Sequence, residues 1–328
     1  MTIDVIKPEL KQHGTERQNE YLDAVLKYGS ATKAADKLGV NRRTVDRAIS
    51  AIKRAAIEAG DIAVLDDHPK VLLLDIETAP ILADIWRLWE EVRSHNNIER
   101  DWYILSWSAK WLGDDEFITK SQRSYKGYKP GSEDDSKLLA DMRTLLCEAE
   151  YVIAQNGDNF DIKKLNARML LNGLNPPTPY RSIDTYKIAK RVFGFTSNSL
   201  DYLAYVLLGE KKIKTDLDLW KGVIRGDAGA WEEMERYNQR DVELLEKVYL
   251  KLRAWDHLHP NMNLTTANDN MACNVCGSNH VKPTGDTVAV GQAGLYLGYV
   301  CNDCGHQLRG RTNIRTLSQK NAGLVNAK

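Results

Sequence analysis

The sequence carries no excess charge of either sign: 45 Lys and Arg balance 45 Asp and Glu over 328 residues. The chain-wide basic field that marks many nucleic-acid binders is therefore missing, and such a function has to rest on local patches and a site. Long hydrophobic runs are missing too, since none approaches the ~18–20 apolar residues of a membrane span. Residues 1–12 have neither the apolar segment nor the small-residue cleavage site of a secretory signal, so a cytoplasmic location is expected. There is no repeat at a solenoid period and no low-complexity block. Cysteine is scarce: four of the five form two tight pairs near the C-terminus, and Cys147 stands alone in a helical stretch. In a reducing compartment such pairs point to metal ligation rather than to a disulfide framework, and Cys147 is expected to be a small buried hydrophobe. What remains is ordinary. A content of 43% hydrophobic and 27% charged residues suits a globular protein with one substantial core and one or two small modules.

Five zones differ in character. Residues 1–60 read as helices, the last of them basic, and 61–69 as a linker. Residues 70–256 alternate strand-like and helix-like runs, which predicts an α/β domain. Residues 257–270 are polar, with a proline and several asparagines, and read as a second linker. Residues 271–328 form a short cysteine-bearing module with a basic tail.

In the first zone, Tyr21, Leu22, Val25 and Leu26 form a helical stripe within residues 19–28. Gly29 stops that helix, and Ser30 or Thr32 caps a second one reaching Leu38. Gly39 and Val40 make the turn, and Asn41 caps a third helix exposing Arg42, Arg43, Arg47, Lys53 and Arg54. The stretch from Ala34 to Val45 resembles the tri-helical helix-turn-helix family. That resemblance implies DNA contact through Arg42, Arg43 and Arg47 at the start of the third helix. A small bundle for protein contacts, with solvated arginines, is the other reading.

The second zone opens with a short apolar run, Val71 to Leu74, that predicts a buried central strand. It leads into Asp75-Ile76-Glu77. Residues two apart on a strand share a face, so both carboxylates point the same way and call for a neutralising cation. A second strand, Tyr151 to Gln155, runs through Asn156 and a Gly turn to Phe160 and Asp161, then into a helix. Phe160 is expected in the core, and helix capping is the plain alternative role for Asp161. A third, strongly helical segment places Tyr237 and Asp241 four apart on one face. The stretch Ala83 to Gly113 holds Trp86, Trp89, Trp102, Trp107 and Trp111. Most of these rings are expected in the core, with one or two left exposed for stacking, and Trp102 to Trp111 reads as a strand pairing with Asp115 to Ser121. Lys211, Lys212 and Lys214 read as a solvated loop, with phosphate contact as the alternative.

Together these pieces resemble the DEDD exonuclease superfamily: D-x-E on the first strand, N-x-x-x-F-D in the middle and Y-x-x-x-D late. The resemblance covers roughly residues 70–255 and implies a ribonuclease H-like fold. Arg236 stands where a histidine subtype would carry its histidine, and Tyr237 marks the tyrosine subtype. Metal-dependent 3′→5′ hydrolysis of phosphodiester bonds is implied, with two Mg²⁺ or Mn²⁺ ions held by Asp75, Glu77, Asp161 and Asp241. By the family pattern Tyr237 orients the attacking water. Asn156 and Phe160 are candidate nucleic-acid contacts.

Cys273-x-x-Cys276-Gly and Cys301-x-x-Cys304-Gly are two matched knuckles whose four thiolates suit one structural Zn²⁺. Between them, Thr287–Val290 and Tyr296–Val300 read as strands, so the module resembles a zinc ribbon. His280 and His306 are possible but unnecessary ligands. Arg309, Arg311 and Arg315 suggest nucleic-acid or protein contact. The three-part arrangement is similar to exonuclease-like proteins of bacteriophages, which implies DNA as partner and a proofreading or end-processing role beside a polymerase. RNA as substrate, or a DNA-binding adaptor that keeps the fold as scaffold, are the alternatives.

Overall fold

The computed structural model describes residues 8–59, 69–85, 95–264 and 270–325. Trp86, Trp89 and the side chains of Lys53 and Arg54 lie outside the described residues. The chain divides into two compact units, Met1–Asp67 and His68–Lys328.

Among its described residues the first unit holds three α-helices, α1 (Glu16–Tyr28), α2 (Ala31–Leu38) and α3 (Arg42–Glu58). Each begins where a side chain replaces a missing backbone partner. Thr15 forms a capping box with Gln18, Ser30 accepts from the Lys33 amide, and Asn41 accepts from the Arg43 amide. α1 and α2 end on Gly29 and Gly39, whose φ of 74° and 66° a side chain would resist. Leu22, Ala34, Val45 and Ile52 pack at the centre.

The second unit is built on a five-stranded sheet of order β5-β4-β1-β6-β7. Its central strand, β1 (Val71–Thr78), runs antiparallel to β4 (Ile104–Trp111) and parallel to β6 (Tyr151–Ala154). β5 (Ile118–Ser121) and β7 (Arg181–Asp184) form the edges, and a small ribbon of β2 (Leu82–Ala83) and β3 (Ile98–Arg100) stands apart. β4 begins two residues later than the tryptophan spacing predicts, because Trp102 and Tyr103 precede it. Trp107 is buried and donates its indole N–H to the Leu138 carbonyl, while Trp102 and Trp111 pack partly buried on the same cluster.

Alternation along β1 decides what faces what. Leu72, Leu74 and Ile76 join the layer under α4 (Ser136–Glu148) and α5 (Asp161–Leu171). Val71 and Leu73 face the opposite layer, built from α6 (Thr185–Val192), α7 (Leu200–Leu208) and the long helix α9 (Ala228–Leu252). Asp75 and Glu77 continue that second row, so the strand's own pleat aims them at α9. Helix α8 (Leu217–Arg225) precedes α9 and packs against it through Val223 and Trp231.

The cysteine module is a three-stranded antiparallel sheet of order β10-β9-β8, with β8 (Val281–Val290), β9 (Gly294–Cys301) and β10 (Gln307–Arg309), followed by α10 (Leu317–Ala322). The architecture is thus a mixed α/β ribonuclease H-like core with N-terminal helices and a small C-terminal β region bearing a cysteine cluster. Among the described residues no helix is long and apolar enough to cross a membrane.

Candidate active site and cysteine cluster

Asp75 and Glu77 on β1 meet Asp241 on α9, with a carboxylate oxygen of each within 4.8 Å of the others. Asp161 stands outside that trio but is tied to it, because its carboxylate accepts the Ile76 amide of β1 at 3.1 Å. This corrects the capping reading of Asp161: the residue before it, Phe160, is the helix boundary, and the aspartate reaches across to the sheet. The serines opposite the acids on β4, Ser108 across from Asp75 and Ser106 across from Glu77, are too small to fill the cleft.

Two residues that sequence reasoning undervalued complete the cluster. Asn238, fully buried on α9, donates to both the main-chain carbonyl and the carboxylate of Asp75, at 3.1 and 2.5 Å. It also accepts from Ser106 Oγ, so it fixes β1 against α9 from beneath. Its signal was slight: a polar residue between two apolar turns of a helix whose neighbours are functional. Lys212 brings its Nζ to 2.5 Å from Asp241 Oδ2 and 5.0 Å from the centre of the Tyr237 ring. The reading of residues 211–214 as a solvated loop is therefore corrected at Lys212, which is drawn inward by the acids. A lysine in a polar loop gives no periodicity by which to find it.

The electrostatics are those of a cluster short of positive charge. Burial, then the charges of Asp241, Asp161 and Glu77, push Asp75 well above the carboxylate range. Burial and Asp241 push Glu77 up to about 8, and burial lifts Asp161 to about 7 against the pull of its backbone donors. Asp241 is also raised by burial, although Lys212 holds it down. Burial opposes the charge on Lys212, yet Asp241 and Tyr237 outweigh it and raise the ammonium above its usual range. The Tyr237 phenol is pushed up by burial and by Asp241, so it stays protonated.

Asp241 Oδ1 is buried and has no hydrogen-bond partner among the described residues. An orphaned carboxylate oxygen costs stability unless something fills its place. Hard oxygen donors, surplus negative charge and one orphan oxygen together fit a divalent cation such as Mg²⁺ or Mn²⁺.

The second cluster is chemically opposite. Cys273, Cys276, Cys301 and Cys304 bring their sulfurs within 4.8 Å of one another. Cys273 to Cys304 is 3.7 Å and Cys276 to Cys301 is 3.6 Å. Zinc–sulfur bonds of ~2.3 Å in a tetrahedron need sulfurs about 3.8 Å apart, so the group fits zinc. The two knuckles are copies. Gly277 and Gly305 adopt φ of 75° and 80°, and each donates its amide to the carbonyl of the first cysteine of its pair, at 2.9 Å. Neither histidine joins: His280 pairs with Asp303 at the surface, while buried His306 bonds the Ala254 carbonyl. Cys147, by contrast, is only half-buried.

The remaining sequence candidates fall elsewhere. Phe160 is 40% exposed rather than in the core, while the next residue, Asp161, is the one turned inward to β1. Asn156 has the sole positive φ, 58°, among described non-glycine residues, and its side chain accepts from Asn159. Arg42, Arg43 and Arg47 are exposed on α3, with Arg42 sharing its charge with Asp46 at 3.4 Å.

The sequence pattern of the RNase_H superfamily matches residues 115–253, under half of the chain. That span contains Asp161, Tyr237 and Asp241 but not Asp75 or Glu77. No curated protein matches in sequence. Among solved structures, the family B DNA polymerase of the hyperthermophilic archaeon Pyrobaculum calidifontis is similar over 57% of this chain, at 14% identity and a TM-score of 0.43. The aligned part spans 25% of that polymerase.

Proposed function

We propose that the protein is a metal-dependent 3′→5′ exonuclease that shortens DNA, with Asp75, Glu77, Asp161 and Asp241 as ligands of two Mg²⁺ or Mn²⁺ ions. The observation that carries this reading is the convergence of Asp75, Glu77 and Asp241 around an orphaned Asp241 oxygen, with Lys212 as the ammonium at the trio. When bound, a pair of divalent ions supplies Lewis-acid stabilisation of the attacking and leaving oxygens of a phosphodiester.

The protein's own groups do the rest. Asn238 locks the Asp75 carboxylate in one rotamer, so the strand's first ligand needs no reorganisation. Tyr237, held as a neutral phenol, keeps an O–H with which to orient the attacking water. Lys212 places a positive charge beside Tyr237 and Asp241, where negative charge grows on the phosphate during attack. Polarity of attack rests on the resemblance of the three motifs, and preference for DNA on the helix-turn-helix and the ribbon, with Arg42, Arg43 and Arg47 exposed on α3. By the same resemblance, residues 1–60 act as a DNA-binding helix-turn-helix, 70–256 as the catalytic domain and 271–328 as a zinc ribbon with one structural Zn²⁺. A proofreading or end-processing role in phage replication or repair, beside a polymerase, fits this arrangement.

The test is incubation with 5′-labelled single-stranded DNA, matching RNA and a mismatched primer–template, in Mg²⁺ or Mn²⁺ and with an EDTA control. A metal-dependent ladder receding from the DNA 3′ end is expected. A ladder on RNA alone would move the substrate, and silence on every substrate would replace the enzyme with a DNA-binding adaptor.

A further inference from the structure

Asp184, the last residue of β7, does more than a helix cap needs. Its buried carboxylate accepts the Tyr186 and Lys187 amides at 3.0 and 3.4 Å, which opens α6 in the usual way. It also accepts the Asn156 amide at 2.9 Å and the Asp158 amide at 3.4 Å, from a turn 28 and 26 positions earlier in the chain. β6 and β7 run parallel and pair Ala154 with Asp184, so the carboxylate lies where β6 gives way to that turn.

The same turn delivers Asp161. Asn156 holds a φ of 58°, a conformation that most side chains resist. Its carbonyl accepts the Asn159 and Phe160 amides, both at 3.0 Å, and the Gly157 carbonyl accepts the Ile162 amide at 2.9 Å. Those bonds run forward into α5 and leave the amides of Asn156 and Asp158 over; Asp184 is what pairs them. A Cβ on Gly157 would stand 2.4 Å from the Ala154 Cβ, so the turn has no room to shift toward β6. α5 then begins at Asp161, whose carboxylate reaches the Ile76 amide of β1 at 3.1 Å.

We propose that Asp184 is the positioning residue of Asp161: by holding the turn 156–160 it sets where Asp161 meets β1, beside Asp75 and Glu77. A residue that only capped α6 would leave Asp161 unaffected. The inference rests on the nuclease reading in one respect, that Asp161 is a metal ligand.

The experiment uses the full chain, with amide exchange resolved at Ile76 in EDTA and Mn²⁺ affinity read by calorimetry. Asp184→Ser separates the two jobs, because a serine hydroxyl caps its own helix but offers one oxygen on a shorter arm, out of reach of the turn. Exchange at Ile76 should rise at least about tenfold as its acceptor drifts, while α6 stays protected. Mn²⁺ affinity should weaken about 10–100-fold, the scale for outer partners of metal ligands. Asp184→Asn keeps an oxygen for the Asn156 amide and should restore most of both. Asn156→Val strains the same turn and leaves the α6 cap alone, so it should shift both readouts the same way. It carries the test if Asp184→Ser does not fold. Wild-type exchange at Ile76 in a folded Asp184→Ser chain, or in Asn156→Val, would overturn the inference and reduce Asp184 to a helix cap. Faster exchange with Mn²⁺ affinity unchanged, in Asp161→Ala as well, would keep the positioning role and overturn Asp161 as a metal ligand.

Discussion

The two ligand clusters solve the same problem from opposite ends. The four sulfurs come from two copies of one local turn, and the outermost cysteines are 31 positions apart. The carboxylates come from a strand and a helix, and Asn238, which fixes Asp75, lies 163 positions from it. In the sulfur cluster the surrounding fold is a thin sheet whose longest strand is almost wholly exposed, so little besides a bound ion can hold it together. In the carboxylate cluster the fold is already secured by two thick apolar layers, and the acids are a strain upon it, as their raised pKa values show. On the proposed reading, one cluster makes its fold and the other is tolerated by its fold for the sake of chemistry.

That contrast can be broken experimentally, first where the effect is largest. Removing zinc with a chelator, or Cys273→Ser, should unfold the ribbon, since structural zinc contributes on the order of 10 kcal/mol to such modules. Hydrogen exchange over β8 and β9 should rise to the unfolded rate while the sheet around β1 stays protected. Retained protection in the ribbon would show that it stands without an ion.

Asp75→Ala or Asp241→Ala should do the reverse. Cleavage should drop by at least ~10²–10³-fold, the scale of losing a group that stabilises transition-state charge. The melting temperature of Asp75→Ala should hold or rise, because repulsion is relieved, whereas Asp241→Ala also strips Lys212 of its partner and should gain less. A large loss of stability would mean that the acids are structural. Full activity in Asp75→Ala would sink the catalytic assignment.

Asn238→Ala separates positioning from ligation. Metal affinity, read by calorimetry with Mn²⁺, should weaken about 10–100-fold, as for other outer partners of metal ligands, with the metal-free fold intact. Unchanged Mn²⁺ affinity would reduce Asn238 to packing.

The smallest effect concerns the chain that links the regions. His259 is buried, and burial pushes its imidazole below the ordinary value. A proton on Nδ1 serves the Pro260 carbonyl while Nε2 accepts from the Tyr249 hydroxyl, so the neutral ring satisfies both partners. The folded state therefore takes up its proton later than the unfolded state. The stabilisation is complete above the unfolded pKa of ~6.5 and is lost as pH falls from there through the folded value, at no more than about 1.4 kcal/mol per pH unit. His259→Gln should flatten that part of a stability–pH curve; an unchanged slope would place the titration elsewhere.

Much of this was legible in the chain itself. Cap residues and left-handed glycines set the helix boundaries at Ser30, Gly29 and Gly39, because those signals act within one turn. The two Cys-x-x-Cys-Gly pairs announced a local four-sulfur group for the same reason. The pleat of β1 put Asp75 and Glu77 on one face, and four-residue spacing put Tyr237 with Asp241. Which face of the sheet α9 would cover was not written locally. It follows from how Val71, Leu73 and the apolar row of α9 bury one another. That packing brings Asn238 under Asp75 and draws Lys212 out of a loop onto Asp241. Periodicity and short-range capping are encoded in neighbouring residues, so the sequence determined them. Charge neutralisation among groups from tens to more than a hundred positions apart depends on chain closure, and only the tertiary structure decided it.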